Sequence, residues 1–175
     1  MTDIELAQLQ KDADAGMADA QYRLAMLHVY GDGVPEDNKK AAALLTAAAE
    51  QNHVEAQYNL GICYHYGYGV STDADEAFRW YMKAAEQGFA KAMSLVGTFY
   101  HEGRCYDQDF DKAVSWFRKA AQQNDMLAEY MLGICYAMGQ GVEQNLEEAV
   151  AWLRKSAAKD YPAAKQALKV MGAEA

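Results

Sequence analysis

The sequence predicts an all-α fold, a solenoid of helix–turn–helix repeats, and three observations lead there. Alanine recurs at Ala20, Ala56, Ala92, Ala128 and Ala164, a period of 36 residues with no insertion or deletion. Within each period, small and apolar residues fall at helical spacing, as in Ala56, Leu60, Gly61 and Tyr64. Each period is also punctuated twice by residues that end helices. These observations divide 1–175 into one solenoid domain: an N-terminal capping helix in 1–16, four repeats at 17–52, 53–88, 89–124 and 125–160, and a C-terminal capping helix in 161–175. The expected total is about nine helices.

The N-terminal helix opens on Thr2-Asp3-Ile4-Glu5, a capping box. It aligns with the second helix of a repeat, Leu9 matching Leu45, Tyr81, Phe117 and Leu153. Polar Gln8 and Glu5 stand where the repeats carry a large apolar residue and alanine.

Each repeat then begins with a helix such as Ala56–Tyr66. Gly31, Gly67, Gly103 and Gly139 stop it, because glycine adopts the left-handed conformation at little steric cost. A second glycine follows at 33, 69 and 141, with Cys105 in its place in the third repeat. Asp37, Asp73, Asp109 and Asn145 are placed to cap the second helix, and Glu76 suggests a capping box with Asp73. Acidic residues in the first turn (Asp75, Asp111, Glu147) and lysines near the end (Lys83, Lys119, Lys155) suit the helix dipole. Gly16, Asn52, Gly88, Asn124 and Asp160, all tolerant of a left-handed backbone, terminate the second helices.

The mid-helix series Ala25, Gly61, Gly97, Gly133 costs helix propensity, about 1 kcal/mol for each glycine. Its expected use is close approach of another helix, with Leu44, Trp80, Trp116 and Trp152 filling the space beside it. One repeat cannot bury such a face, whereas stacked repeats can. The C-terminal helix follows Pro162, and Lys169 and Gly172 replace the small residue and the tyrosine, as suits a chain end without a further neighbour.

The pattern Ala-x-Ala-x-x-x-Leu-Gly-x-x-Tyr-x-x-Gly-x-Gly-Val resembles the Sel-one-like repeat (SLR) family, a relative of the tetratricopeptide repeats. Glu55-Ala56-Gln57-Tyr58-Asn59-Leu60-Gly61-Ile62-Cys63-Tyr64, then Gly67-Tyr68-Gly69-Val70 and Trp80–Gly88, carry it best. The resemblance implies a right-handed α-solenoid whose first helices line a concave groove for a protein or peptide. It implies a non-enzymatic scaffold or adaptor with no cofactor and no bound metal.

If the groove follows tetratricopeptide geometry, its lining carries over slot by slot. The first repeat supplies Asp19, Tyr22, Arg23, Met26 and Tyr30, and the second Glu55, Tyr58, Asn59, Ile62 and Tyr66. The third supplies Lys91, Ser94, Leu95, Thr98 and Glu102, and the fourth Leu127, Tyr130, Met131, Ile134 and Met138. The repeated tyrosines 22, 58 and 130 either stack on a partner or pack between repeats. The residues that do not repeat, such as Arg23, Asn59, Lys91 and Glu102, are the better candidates for specificity.

Half the residues are apolar, enough for a substantial core, and no apolar run approaches a membrane span. The start MTDIELAQLQ has neither the basic nor the apolar region of a signal peptide. A net charge of −9 argues against nucleic acid and anionic membrane as partners; it reads as a charge for solubility or as a match for basic or apolar peptides. Cys63, Cys105 and Cys135 suggest no disulfide framework, so a reducing cytoplasm is expected; a bacterial source is a separate expectation.

Three features invite other readings. The loop Gly103-Arg104-Cys105-Tyr106-Asp107 departs from the repeat, as a contact loop or as drift in a surface turn. His65 and His101 share one slot, but no metal-binding spacing accompanies them. Ser156-Ala157-Ala158-Lys159 matches the Ser-x-x-Lys of penicillin-recognising enzymes, yet its companion motifs are absent and the slots read Ala84 and Gln87 one repeat earlier. A hydrolase based on Cys or His, and a self-associating structural protein, are the alternatives to the scaffold.

Overall fold

The computed structural model describes residues 2–104 and 107–173. It contains ten helices and no strand among the described residues: α1 (Asp3–Asp14), α2 (Ala18–Tyr30), α3 (Asn38–Glu50), α4 (Val54–Tyr66), α5 (Ala74–Glu86), α6 (Ala90–Glu102), α7 (Phe110–Ala121), α8 (Met126–Met138), α9 (Leu146–Ala157) and α10 (Pro162–Val170). The count exceeds the expected nine by one, since four repeats of two helices and a helix at each end make ten. Two compact units divide the chain, Met1–Gln87 with α1–α5 and Gly88–Ala175 with α6–α10.

Local chemistry sets the helix ends as expected. Thr2 and Glu5 form a complete capping box on α1. Asp37, Asp73, Asp109 and Asn145 each accept a backbone N–H of their helix. Only half of the box forms at α5, because the Glu76 carboxylate pairs with Arg79. Asn52, Asn124 and Asp160 take positive φ values of 62° to 64°, the backbone that glycine takes at 16 and 88. Helix α4, like α2, α6, α8 and α10, begins two residues before the repeat alanine, and the His53 side chain caps it, Nδ1 accepting the Ala56 N–H at 3.3 Å.

Packing within repeats turns on the glycine series. A Cβ at Gly61 would lie 2.6 Å from the Tyr81 ring, one at Gly97 2.5 Å from Phe117, and one at Gly133 2.6 Å from Leu153. Close approach is therefore the reason for the glycines. The residue that fills the space is one position later than expected, at Leu45, Tyr81, Phe117 and Leu153, all fully buried. The preceding slot has a second job: Lys83, Lys119 and Lys155 lie over the rings of Trp80, Trp116 and Trp152 at 3.8, 4.3 and 3.8 Å. The second loop glycine is also forced by packing. A Cβ at Gly69 would collide with the Asn38 carbonyl at the start of α3, and one at Gly141 with the Phe110 carbonyl at the start of α7. Gly33 has no such neighbour within 4 Å.

Helix α1 buries Leu9 and Ala13 and exposes Glu5 and Gln8, while α10 buries Ala164 and Leu168 and exposes Lys169.

Candidate partner-binding face

A side chain that ties helices together, within a repeat or to the one before, has little freedom left for a partner. Gln21, Gln57, Met93 and Glu129 occupy one slot, and Gln51, Gln87, Gln123 and Lys159 another thirty residues on. Their side chains meet in pairs. Gln51 Nε2 donates to Gln21 Oε1 at 2.9 Å, Gln87 Nε2 to Gln57 Oε1 at 2.7 Å, and Lys159 Nζ to Glu129 Oε1 at 2.5 Å. Gln21 and Gln57 pass the contact on, donating to the carbonyls of Ala13 and Ala49. Lys159 is thus the local form of a recurring clasp, and buried Ser156 donates to the Met126 carbonyl at 2.7 Å. Both members of the serine–lysine motif have structural partners.

The tyrosine slot is half committed. Tyr22 stacks on His53 with centroids 4.6 Å apart, and Tyr130 lies 5.3 Å from Tyr161. Ser94 in the same slot donates to Asp125 Oδ1 at 2.5 Å and is fully buried, so it does not line the face. In each case the partner is the N-cap residue of the next first helix. Tyr58 packs 6.1 Å from Tyr81. The repeated tyrosines therefore pack between or within repeats while staying half-exposed.

The remaining expected residues are accessible. In the first unit, Asp19, Arg23, Tyr30, Glu55 and Tyr66 are exposed, and Met26, Asn59 and Ile62 are half-buried. In the second, Lys91, Glu102 and Met138 are exposed, and Leu95, Thr98, Leu127, Met131 and Ile134 are half-buried. Arg23 reaches toward Asp19 at 3.9 Å and also borders an open recess with Glu5, Gln8, Leu9 and Asp12. Asn59 donates to the Glu55 carbonyl at 2.8 Å. Glu102 pairs with Arg104.

His53, absent from the expected lining, lies among these residues in the first unit. Besides capping α4 and stacking on Tyr22, its ring lies 3.4 Å from Glu55 and 4.0 Å from Asp19. Burial and the Glu55 carboxylate push the Tyr22 phenol above its ordinary value, with an opposing hydrogen bond from Asn59. The signal available in the sequence was the slot Met17, His53, Phe89, Asp125, Tyr161, which precedes every first helix.

The histidine pair is otherwise engaged. His65 stacks on Tyr66 at 4.5 Å, and His101 Nε2 lies 2.9 Å from Gln140 Oε1 with its ring against Phe110. No group of three or more His, Cys, Asp or Glu suited to a metal occurs among the described residues. Burial pushes the thiols of Cys63 and Cys135 up to about 11, opposite to what a nucleophilic cysteine needs. Cys105 and Tyr106, the divergent pair of the third repeat, lie outside the described residues. No described helix is long and apolar enough to cross a membrane.

Comparison with known proteins agrees with this architecture. The Sel1 repeat model matches residues 18–53, 54–89, 90–125 and 127–161. A protective antigen of uropathogenic Escherichia coli displaying an SLR fold is 34% identical, with a TM-score of 0.88, over 95% of this chain and 36% of that one. A Sel1 repeat protein from Oxalobacter formigenes is 38% identical, with a TM-score of 0.80, over 93% of this chain and 47% of that one. The chain thus spans between a third and a half of these two proteins. Cysteine rich protein B of Helicobacter pylori is 25% identical, with a TM-score of 0.57, over 74% of this chain and 92% of that one. No curated protein matches the chain. Four consecutive repeats, matched within two residues of the register that the helix ends define, place this chain in the Sel1 repeat family.

Proposed function

We propose that the chain is a non-enzymatic scaffold that takes a protein or peptide on the exposed face of its first helices. Sel1 repeat proteins are generally protein-interaction scaffolds. The observation that carries the reading is a division of labour. The most regular slots are buried or tied to neighbouring repeats, while variable slots such as Asp19/Glu55/Lys91/Leu127 and Tyr30/Tyr66/Glu102/Met138 stay accessible. Variation at accessible positions on a constant frame is what partner recognition requires. The buried, deactivated thiols and the structural partners of Ser156 and Lys159 weigh against a hydrolase. We place the protein in a reducing cytoplasm, where two buried free thiols persist.

Site-specific photo-crosslinking tests the assignment. A crosslinking side chain at Met26, Ile62, Thr98 or Met138 is expected to trap a common protein from the native lysate, and one at Ala43 or Ala151 on the second helices is not. Equal trapping from both sets would overturn it.

A further inference from the structure

The two units differ sharply in charge. Residues 1–87 hold fourteen Asp and Glu against six Lys and Arg, whereas residues 88–175 hold eleven against ten. Nearly all of the net negative charge thus belongs to the first unit, and its first-helix face shows where part of it is aimed. Asp19 and Glu55 stand at the same slot of consecutive repeats, their side chains 73% and 51% exposed. The later repeats carry Lys91 and Leu127 there, so the repeat does not demand these carboxylates.

Both acids are exposed, and the basic groups beside them are held loosely. His53 Nδ1 accepts the Ala56 N–H at 3.3 Å and lies 3.4 Å from Glu55, so the capping contact competes with the carboxylate for this nitrogen. Its Nε2 and the Arg23 guanidinium lie 4.0 and 3.9 Å from Asp19, at the outer limit of ion pairing. The His53 ring, stacked on Tyr22, lies near both acids, 3.4 Å from Glu55 and 4.0 Å from Asp19. A negative rim around an aromatic floor suits a guanidinium or ammonium group.

The other end of the same face is aromatic. Tyr30 and Tyr66 are 74% and 61% exposed, and Tyr66 stacks on exposed Tyr68 with centroids 5.7 Å apart. Tyr30 follows Asp19 by eleven residues and Tyr66 follows Glu55 by eleven. Eleven residues make about three helical turns, so acid and aromatic share a face about 16 Å apart. An extended peptide covers that distance in about five residues.

Resting on the first-helix reading above, we infer that the first unit binds a peptide segment with a Lys or Arg seated between Asp19 and Glu55 and, about five residues away, an apolar or aromatic residue on Tyr30, Tyr66 and Tyr68. The probe is an acetylated, amidated Lys-Gly-Ser-Gly-Ser-Trp peptide, titrated into the isotopically labelled protein with amide chemical shifts as readout. Shifts are expected around Asp19, Tyr22, Glu55 and Tyr66. Replacing the peptide's Lys by Glu is expected to weaken binding at least tenfold, and shortening the spacer to one glycine several-fold. In the protein, Asp19→Asn with Glu55→Gln is expected to weaken binding at least fivefold, while Arg23→Gln, which removes a competing cation, tightens it about twofold. Opposite signs at neighbouring surface positions are not an outcome that altered folding produces. Equal affinity for the Lys and Glu peptides would overturn the inference, as would shifts confined to other faces. Concentration-dependent self-association perturbing this face without peptide would also overturn it, by making a second copy the occupant. If crosslinking at Met26 and Ile62 traps a partner while the Lys peptide fails, only the cationic occupant is lost and the scaffold reading stands.

Discussion

Lys159 Nζ lies 2.5 Å from Glu129 Oε1, and Glu129 is 2% exposed, so an ion pair with a buried carboxylate ties α8 to the turn that follows α9. The first and second repeats use neutral Gln–Gln contacts at the same two slots. Breaking a buried pair leaves a charge without compensation, whereas replacing both partners by a neutral pair need not.

Lys159→Ala is therefore expected to cost about 3 kcal/mol of stability by urea denaturation. The double variant Glu129→Gln with Lys159→Gln recreates the Gln–Gln contact and is expected to return to within about 1 kcal/mol of the native chain. A double variant no more stable than Lys159→Ala would show that the carboxylate itself is not the problem.

Gly97→Ala gains helix propensity, about 1 kcal/mol, but drives a Cβ to 2.5 Å from Phe117. Overpacking costs roughly 1–3 kcal/mol, so net destabilisation is expected. The first repeat already pairs Ala25 with Leu45 in one core cluster. Gly97→Ala combined with Phe117→Leu copies that pair and is expected to melt at a higher temperature than Gly97→Ala alone.

The buried thiols make stability fall at alkaline pH. Folding raises Cys63 and Cys135 from 9.0 to about 11, so between these values the unfolded chain has lost thiol protons that the folded chain keeps. Unfolding then releases protons and becomes easier as pH rises. In a Cys105→Ser background, denaturation midpoints are expected to drop between pH 8 and pH 10.5. Cys63→Ala with Cys135→Ala is expected to flatten that drop. Alkylation of the folded chain at pH 8 is expected to be about a hundredfold slower than for a free thiol, as the smaller thiolate fraction dictates.

The lysines over Trp80, Trp116 and Trp152 are expected to contribute about 0.5–1 kcal/mol each. Lys119→Met keeps the aliphatic stem and loses the charge, so it isolates the cation–ring contact. An unchanged melting temperature for Lys119→Met and a lowered one for Lys119→Ala would assign the effect to packing instead.

Turns and caps were legible in the sequence because they are short-range. Asp73 caps α5 and Asn52 takes the left-handed backbone for reasons contained within a few residues of each. Asp19, Met26, Glu55, Ile62, Lys91 and Thr98, carried over slot by slot from the family resemblance, are exposed or half-buried. Ser94 escaped because the acceptor that buries it, Asp125, lies thirty-one residues away.

By itself, then, the sequence determined the helical repeat, its period, its punctuation and its polar ends, each of them a matter of local backbone preference and recurrence. Tertiary structure decided which residue meets which. One position along a helix is a rotation of about 100°, so only the packed helices show that Tyr81 faces Gly61 and that Trp80 turns toward Lys83. The same packing set His53 against Tyr22 between two carboxylates, an arrangement whose parts lie more than thirty residues apart and whose chemistry exists only once α2 and α4 lie side by side.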